Sequence, residues 1–211
     1  TPFKIANKIR LGNKCDGGYV VSEDHIFADT LISLGCDNQT SFEEAFLELN
    51  PNSNIFIYDK NSKCDLADNV SNVHFENKQI LTFEDMSIHN NSVVQMDIEG
   101  SEYDLLKNYV GNFDKINQLI IEFHFHFSGN TSGWENVLTK LNDSFYLVHI
   151  HANNCTEIKD FTPVPNAIEC TYVNKSLFNQ TPDIENTSYP LQNLDFVNCN
   201  NKPDLTLDWW L

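Results

Sequence analysis

The sequence predicts an α/β fold, a seven-stranded and mainly parallel sheet with helices on both faces. Short apolar runs alternate with amphipathic stretches along the chain. Strands separated by helices require crossover connections, and such connections make neighbouring strands parallel. At 211 residues the chain is long enough for one hydrophobic core and short for two. We therefore expect one domain over 1–211, with an N-terminal segment at 1–29, a wound core at 30–175 and a C-terminal tail at 176–211 packed on that core.

The elements follow in a regular order. Hydroxyl residues at the starts of two helical stretches predict side-chain caps at Thr40 and Ser101. Apolar runs predict strands at Thr30–Gly35, Asn54–Asp59, Val73–Phe75, Ser92–Asp97, Gln118–Phe125, Tyr146–Ile150 and Ala167–Val173. Helical spacing predicts helices at Thr40–Leu49, Ser101–Tyr109 and Trp134–Leu141, and a short helical turn at Thr82–Ser87. The tail is expected to bury Leu191, Leu194, Phe196, Trp209 and Trp210 against the core.

Charge and cysteine content exclude several functional classes. The chain has 13 Lys+Arg against 30 Asp+Glu, a formal net charge of -17, which repels nucleic acid and anionic lipid. Its apolar runs are far shorter than the roughly 20 residues of a membrane helix. The six cysteines form no C-x-x-C pair, so we expect mostly reduced thiols in the cytoplasm rather than a zinc or redox site. Because the chain starts without Met, we expect an excised domain or a processed fragment.

Polar residues stand where the predicted strands end, which is where open parallel sheets bind ligands. A G-x-G-x-x-G turn does not follow the first strand, which disfavours a nicotinamide dehydrogenase. Asp59 closes the second strand, and its two oxygens suit the ribose hydroxyls of an adenosine-type ligand. The polar strand ends are Gly35–Asn38, Asp59–Lys60, Asp97–Gly100, Glu122–His126 and His149–Asn153.

Four of the seven histidines lie in two strand-end segments, Glu122–His126 and His149–His151. Alternate side chains of a strand point to one face, so Glu122, His124 and His126 share a face. Glu122 and His149, the first residues of the two segments, lie deeper in their strands, and we expect both to be core residues.

Asp97, His124 and His151 are the candidate catalytic residues and the candidate metal ligands. They lie at the ends of three predicted strands. One carboxylate and two imidazoles suit a divalent transition metal, and the same groups suit a metal-free general base. The residues leave both alternatives open.

Several segments resemble, in order and spacing, the FkbM-like S-adenosylmethionine-dependent O-methyltransferases. The most specific are the DIEGSE element and the TFED turn that precedes it. The EFHF and HIHANN segments are most similar to the eukaryotic and large-virus branch. The resemblance extends from KCDGGYVV at 14–21 into the tail and also includes LISLGCDNQTSFEEAF, NIFIYDK, VVQMDIEGSEYDLL and AIECTYV.

The resemblance implies a Rossmann-like class I methyltransferase with six parallel strands and one antiparallel strand. S-adenosyl-L-methionine would lie over the first two predicted strands, but the usual multi-glycine turn is reduced here to G-C-D-N. The residue that contacts adenine is expected around Glu76–Lys78 and is not assigned. The cofactor-binding residues carried over are Gly35, Asp37, Asn38, Asp59, Lys60 and Asp97.

The predicted function is transfer of a methyl group from S-adenosylmethionine to a sugar or glycan hydroxyl. An acidic chain suits a cationic cofactor and a neutral acceptor, and a divalent metal (Mn or Mg) is a candidate aid. The expected partner is a carbohydrate acceptor such as an oligosaccharide, with no nucleic acid and no membrane. The large-virus resemblance adds that the chain is one domain of a larger glycosyltransferase polypeptide. The alternatives are a metal-dependent hydrolase and a non-catalytic carbohydrate-binding module.

Overall fold

A computed structural model describes residues 1–125, 131–155 and 165–207, apart from the side chains of residues 131 and 132. The strands are β1 Lys8–Gly12, β2 Gly18–Ser22, β3 Thr30–Leu34, β4 Asn54–Tyr58, β5 Val73–Glu76, β6 Ser92–Met96, β7 Ile116–His124, β8 Phe145–Ala152 and β9 Ala167–Asn174. The α-helices are α1 Ser41–Leu49, α2 Asp65–Asn69, α3 Glu102–Asn108 and α4 Thr131–Ser144.

The central sheet has seven strands in the order β5-β4-β3-β6-β7-β9-β8. Neighbours from β5 to β7 are parallel, and β9 is antiparallel to both β7 and β8. The predicted strand number is confirmed, and the sheet is mixed because β9 inserts between β7 and β8 against their direction. The order reverses between β3 and β6, which places a topological switch point there.

Two apolar layers cover the two faces of the sheet. In β3, Leu31 belongs to one layer and Ile32 to the other, as the two-residue period of a strand requires. The first layer includes Phe42 and Phe46 of α1, and α2 packs at its margin. The second layer includes residues of α3 and α4, such as Leu106. The predicted helices on both faces are therefore confirmed.

A hairpin of β1 and β2, antiparallel from Lys8↔Ser22 to Gly12↔Gly18, was not predicted. By composition, Asp16–Tyr19 with its two glycines indicates only a turn. The hairpin joins the α1 layer through Leu11, Tyr19 and Val21. Its stability depends on this packing, since an isolated two-stranded hairpin is marginal in water. The five-residue helix α2 was missed as well.

The two predicted caps are wrong, because neither Thr40 nor Ser101 makes a side-chain cap bond. The Thr40 hydroxyl donates instead to Glu44 at 2.8 Å. Before α3, the Glu102 carboxylate accepts hydrogen bonds from the backbone N–H groups of residues 98 and 100. The carboxylate thereby holds the turn between β6 and α3, because both donors lie before the helix begins.

The tail packs on the core, with Tyr189 and Leu207 buried and Leu191, Leu194 and Phe196 half-buried. Trp209 and Trp210 lie outside the described residues.

A disulfide joins Cys155 to Cys199 and fastens the tail to the end of β8. The other four cysteines, Cys15, Cys36, Cys64 and Cys170, are free. The expectation of mostly reduced thiols therefore has one exception, at a place where the fold brings two distant segments together. Within the described ranges, no helix has the length and apolar character that crossing a membrane requires.

Candidate functional site

A cavity of about 400 Å³ opens at the carboxyl ends of β3 to β6. This is the size of a small-molecule site, and it lies at the switch point where such folds bind ligands. Its walls come from the segments that follow each strand and from the first turn of α1. The lining residues include Leu34–Asp37, Tyr58–Ser62, Lys78–Ile80 and Asp97–Glu99, with Phe42, Glu43 and Gln95 from α1 and β6.

Gly35 brings the turns after β3 and β6 into close contact. Its φ of 82° lies in the left-handed region that favours glycine. A Cβ at this position would lie 1.7 Å from the Asp97 carbonyl oxygen, where no side chain fits. The Asp97 N–H donates to the Leu34 carbonyl at 2.9 Å and continues the strand pairing to the edge of the cavity. Gly35 therefore fixes where the Asp97 backbone meets the cavity.

Asp59 ties two turns of the cavity wall together. One carboxylate oxygen accepts the N–H groups of Cys36 and Asp37 at 3.0 and 3.2 Å. The other accepts those of Asn61 and Ser62 at 2.8 and 2.9 Å. Burial opposes ionisation, but these hydrogen bonds outweigh it and lower the pKa of Asp59. Four accepted bonds match the lone-pair sites of a carboxylate, so Asp59 holds the wall in shape.

Five of the six predicted cofactor-binding residues line the cavity, and Asn38 is not among the lining residues. The Asn38 side chain instead accepts the Lys63 N–H at 2.8 Å. Asn38 and its neighbour Asp37 both have positive φ, 59° and 38°, so their backbone forms a tight turn. Their contribution to ligand binding remains a prediction.

Asp97, Glu122 and His124 form a compact group beside the cavity. One ligand atom from each lies within 4.8 Å of the others. The Nε2 atom of His124 is 3.9 Å from both the Asp97 and the Glu122 carboxylate. Asp97 also lines the cavity, so it connects this group to the space where a ligand would lie. Two carboxylates and an imidazole suit a divalent ion such as Mn²⁺.

Glu102 and Tyr19 orient the group from outside. A Glu102 oxygen lies 3.0 Å from His124 Nδ1 and accepts two backbone N–H groups. Its other oxygen is buried and has no hydrogen-bond partner among the described residues. The Tyr19 hydroxyl donates to Asp97 at 2.8 Å. Such supporting contacts fix the orientation of metal ligands and of catalytic bases.

The site concentrates negative charge in a buried place. Burial raises the pKa of Asp97 to about 7, although His124 and the Tyr19 hydrogen bond oppose the shift. Burial and the charge of Asp97 raise the pKa of Glu122 well above its ordinary value. Burial lowers the pKa of His124, but the nearby carboxylates, first of all Glu102, more than reverse this. A half-buried carboxylate, Asp97, and a buried one, Glu122, that resist ionisation together would be stabilised by a bound cation.

His151 does not join this group. Its Nδ1 lies 3.2 Å from Glu169, and its Nε2 lies 3.2 Å from Asp204 of the tail. The inserted strand β9 is the reason, because Glu169 pairs with Glu122 on one side and with His151 on the other. Two strand spacings, about 10 Å, therefore separate β7 from β8.

The other predicted histidines have different outcomes. His149 is a buried core residue, as expected, and lies 2.8 Å from Asp195 of the tail. His126 lies outside the described residues.

Sequence reasoning missed several members of the site, Glu122 and Tyr19 among them. Glu122 was expected to be a core group, yet it alternates with His124 in the E-F-H run and so points to the same face. Tyr19 sits in the hairpin, and its contact with Asp97 depends on how that hairpin packs.

Residues 5–148 match the model described as the Methyltransferase FkbM domain. Among curated proteins, none matches the chain. Among solved structures, the Methanococcus jannaschii fibrillarin pre-rRNA processing protein is 9% identical and aligns over 72% of this chain and 69% of its own, with a TM-score of 0.49. A fibrillarin/Nop5p complex is 10% identical over 70% and 73%, with a TM-score of 0.48.

The plantazolicin methyltransferase BpumL, solved with SAH, is 11% identical over 70% of this chain and 76% of its own, with a TM-score of 0.44. These similarities are low both in sequence identity and in TM-score. The family match is different, because it covers more than half of the chain, from residue 5 into β8. The chain therefore belongs to the FkbM methyltransferase domain family.

Proposed function

We propose that the chain is an S-adenosylmethionine-dependent O-methyltransferase that acts on a hydroxyl of a sugar or glycan. The observation that carries the proposal is the cavity at the strand ends and its direct contact, through Asp97, with the Glu122 and His124 group. Family membership supplies the reaction class. The net charge of -17 favours a cationic cofactor and a neutral acceptor over a phosphorylated one.

The cavity fits a nucleoside joined to an amino acid. Its walls run across four neighbouring strand ends, with apolar Ile80 toward β5 and polar Asp97 at β6. In the proposed pose the adenosine part lies near Asp59 and Lys60, and the methionine part lies near Gly35. When bound, S-adenosylmethionine supplies the electrophilic methyl group. Positioning of the acceptor oxygen in line with that group contributes up to about 7–11 kcal/mol in favourable cases.

Asp97 and His124 are the proposed bases. A hydroxyl held between the cavity and the group lies beside the Asp97 carboxylate, whose pKa of about 7 suits proton acceptance near neutral pH. Tyr19 holds the carboxylate in place, and Glu102 holds the imidazole. General-base assistance of this kind typically contributes about 10²–10⁴-fold. Alternatively, a divalent ion held by Asp97, Glu122 and His124 would use their lone pairs and would polarise the hydroxyl in place of the free bases.

Two measurements test the proposal. Calorimetric titration with S-adenosylhomocysteine, with and without Mn²⁺, is expected to show binding by the folded chain. Mass spectrometry of a glycan panel incubated with S-adenosylmethionine is expected to show the gain of one methyl group. Asp97→Asn should abolish transfer, whereas Asp104→Asn, an exposed carboxylate on α3, should leave it intact. A folded chain that binds no S-adenosylhomocysteine would refute the assignment.

The compact Asp97, Glu122 and His124 group also favours a second candidate, a metal-dependent hydrolase. Uptake of Mn²⁺ with no affinity for S-adenosylhomocysteine would support that candidate instead.

A further inference from the structure

Glu43 is a buried carboxylate in the wall of the cavity, and the proposed mechanism does not use it. It belongs to the first turn of α1, where it is only 3% exposed. The adjacent Glu44 is exposed and takes the local role expected of a first-turn acid, a hydrogen bond with Thr40. Glu43 points inward and lines the cavity. A charged group is seldom buried in this way unless it has a partner.

Among the described residues, the immediate surroundings of Glu43 supply no positive charge. Its carboxylate accepts a hydrogen bond from the Ser33 hydroxyl. That hydroxyl is also 3.0 Å from the side-chain oxygen of Gln95, which is paired with Ser33 across β3 and β6. Within the described part of the chain, no Lys, Arg or His forms an ion pair with Glu43. Burial raises the pKa of Glu43 to about 7, which reflects the missing cation.

The place of Glu43 in the cavity indicates which ligand group it faces. Ser33 and Gln95 lie one residue before the ends of β3 and β6, so the carboxylate lies at the floor of the cavity on the Gly35 side. Asp59 lies on the opposite side, at β4. A ligand with its nucleoside near Asp59 therefore extends its amino-acid part toward Glu43.

We propose that Glu43 binds the α-ammonium group of the methionine part of the cofactor, an inference that rests on the proposed use of S-adenosylmethionine. An ammonium group offers three hydrogen-bond donors to a carboxylate, whereas a sulfonium offers none. The Glu43 carboxylate lines the cavity and can accept further hydrogen bonds there. An ion pair with hydrogen bonds is the arrangement that stabilises such a buried charge. Glu43 is in this respect a recognition residue for an amino acid rather than for a nucleoside.

The test compares ligands that differ in the amino-acid part. Glu43→Gln keeps the shape of the side chain and an oxygen for the Ser33 hydroxyl, and Glu44→Gln is the matched control on the same helix. We expect Glu43→Gln to weaken S-adenosylhomocysteine binding about 10- to 100-fold in calorimetry, the range for a lost charged hydrogen bond. Binding of 5′-methylthioadenosine, which lacks the amino acid, is expected to stay unchanged.

Each other outcome has a definite meaning. Equal weakening of both ligands would indicate a structural role and overturn the inference, and so would unchanged binding of S-adenosylhomocysteine by Glu43→Gln. Loss of S-adenosylmethionine binding alone would assign Glu43 to the sulfonium instead and also overturn it.

A measurement on the unmodified chain covers the case in which the variant does not fold. The unmodified chain should bind S-adenosylhomocysteine about 10- to 100-fold more tightly than an analogue without the α-amino group. Equal affinity for the two ligands would overturn the inference. If the unmodified chain binds no S-adenosylhomocysteine, the proposed function itself fails.

Discussion

Removal of the Cys155–Cys199 disulfide is expected to destabilise the chain by loosening the tail. The bond joins residues 44 positions apart. In chain-entropy terms, closure of a loop of this length raises the free energy of unfolding by about 4 kcal/mol. For a chain of 211 residues this corresponds to a loss of about 9 °C in Tm, at ~2.1 cal/mol/K of unfolding entropy per residue.

The tail retains other attachments in the absence of the disulfide. The Asn154 amide donates to three tail carbonyls, those of Cys199, Lys202 and Pro203, and its oxygen accepts the Cys199 N–H. The native fold is therefore expected to survive, and the loss should appear as lower stability rather than as failure to fold.

The assay compares thermal and urea unfolding of Cys155→Ser/Cys199→Ser with that of the unmodified chain. Cys15→Ser, which changes a free and half-buried thiol, is the control. The double variant should melt about 9 °C lower, and the control should not. Equal melting of the double variant and the control would refute the reasoning, as would a non-reduced peptide map without a fragment that links residues 155 and 199.

Three further perturbations test the site and the tail. Gly35→Ala is expected to lower the free energy of unfolding by more than the ~1–2 kcal/mol of a left-handed backbone, since its Cβ would meet the Asp97 carbonyl; unchanged urea unfolding would rule out this tight turn. Asp59→Asn replaces an oxygen that accepts two N–H groups with an amide that cannot, and should cost about 1–3 kcal/mol and weaken S-adenosylhomocysteine binding. Full stability in calorimetry would contradict that role. Burial opposes the charge of His151, but Glu169 outweighs it and raises the pKa of His151 from 6.5 to about 10. The stability that protonated His151 contributes is therefore complete below pH 6.5. It is lost as pH rises toward 10, by at most ~1.4 kcal/mol per pH unit. His151→Gln should remove this slope in urea titrations, and a slope that persists in the variant would assign it to other groups.

Much of the sheet is readable from the sequence because its strands are buried on both faces. β3 (TLISL) and β6 (SVVQM) are mostly apolar and buried along their whole length, and their ends match the prediction to within one residue. The hairpin was missed since neither Lys8–Gly12 nor Gly18–Ser22 has a strong local signal, and both depend on packing against α1. Packing against residues distant in sequence cannot be detected from a short window of sequence.

The candidate site was predictable to the extent that strand ends converge. Asp97 and His124 end neighbouring parallel strands and do meet. His151 was expected with them, but strand order is a property of the whole sheet, and the position of β9 decides that His151 meets Glu169 instead. Glu43 gave no signal, because an acid in the first turn of a helix ordinarily faces solvent.

The position of β9 also has a consequence for biosynthesis. β8 hydrogen-bonds to β9 and not to β7, so the half of the sheet beyond β6 closes only after residues 167–174 have left the ribosome. Until then the nascent chain presents the unpaired side of β7, whose Leu119–Ile121 segment is strongly apolar. An open apolar edge of this kind is a template for intermolecular pairing. A message truncated before codon 167 should therefore yield an aggregating product rather than a smaller folded one.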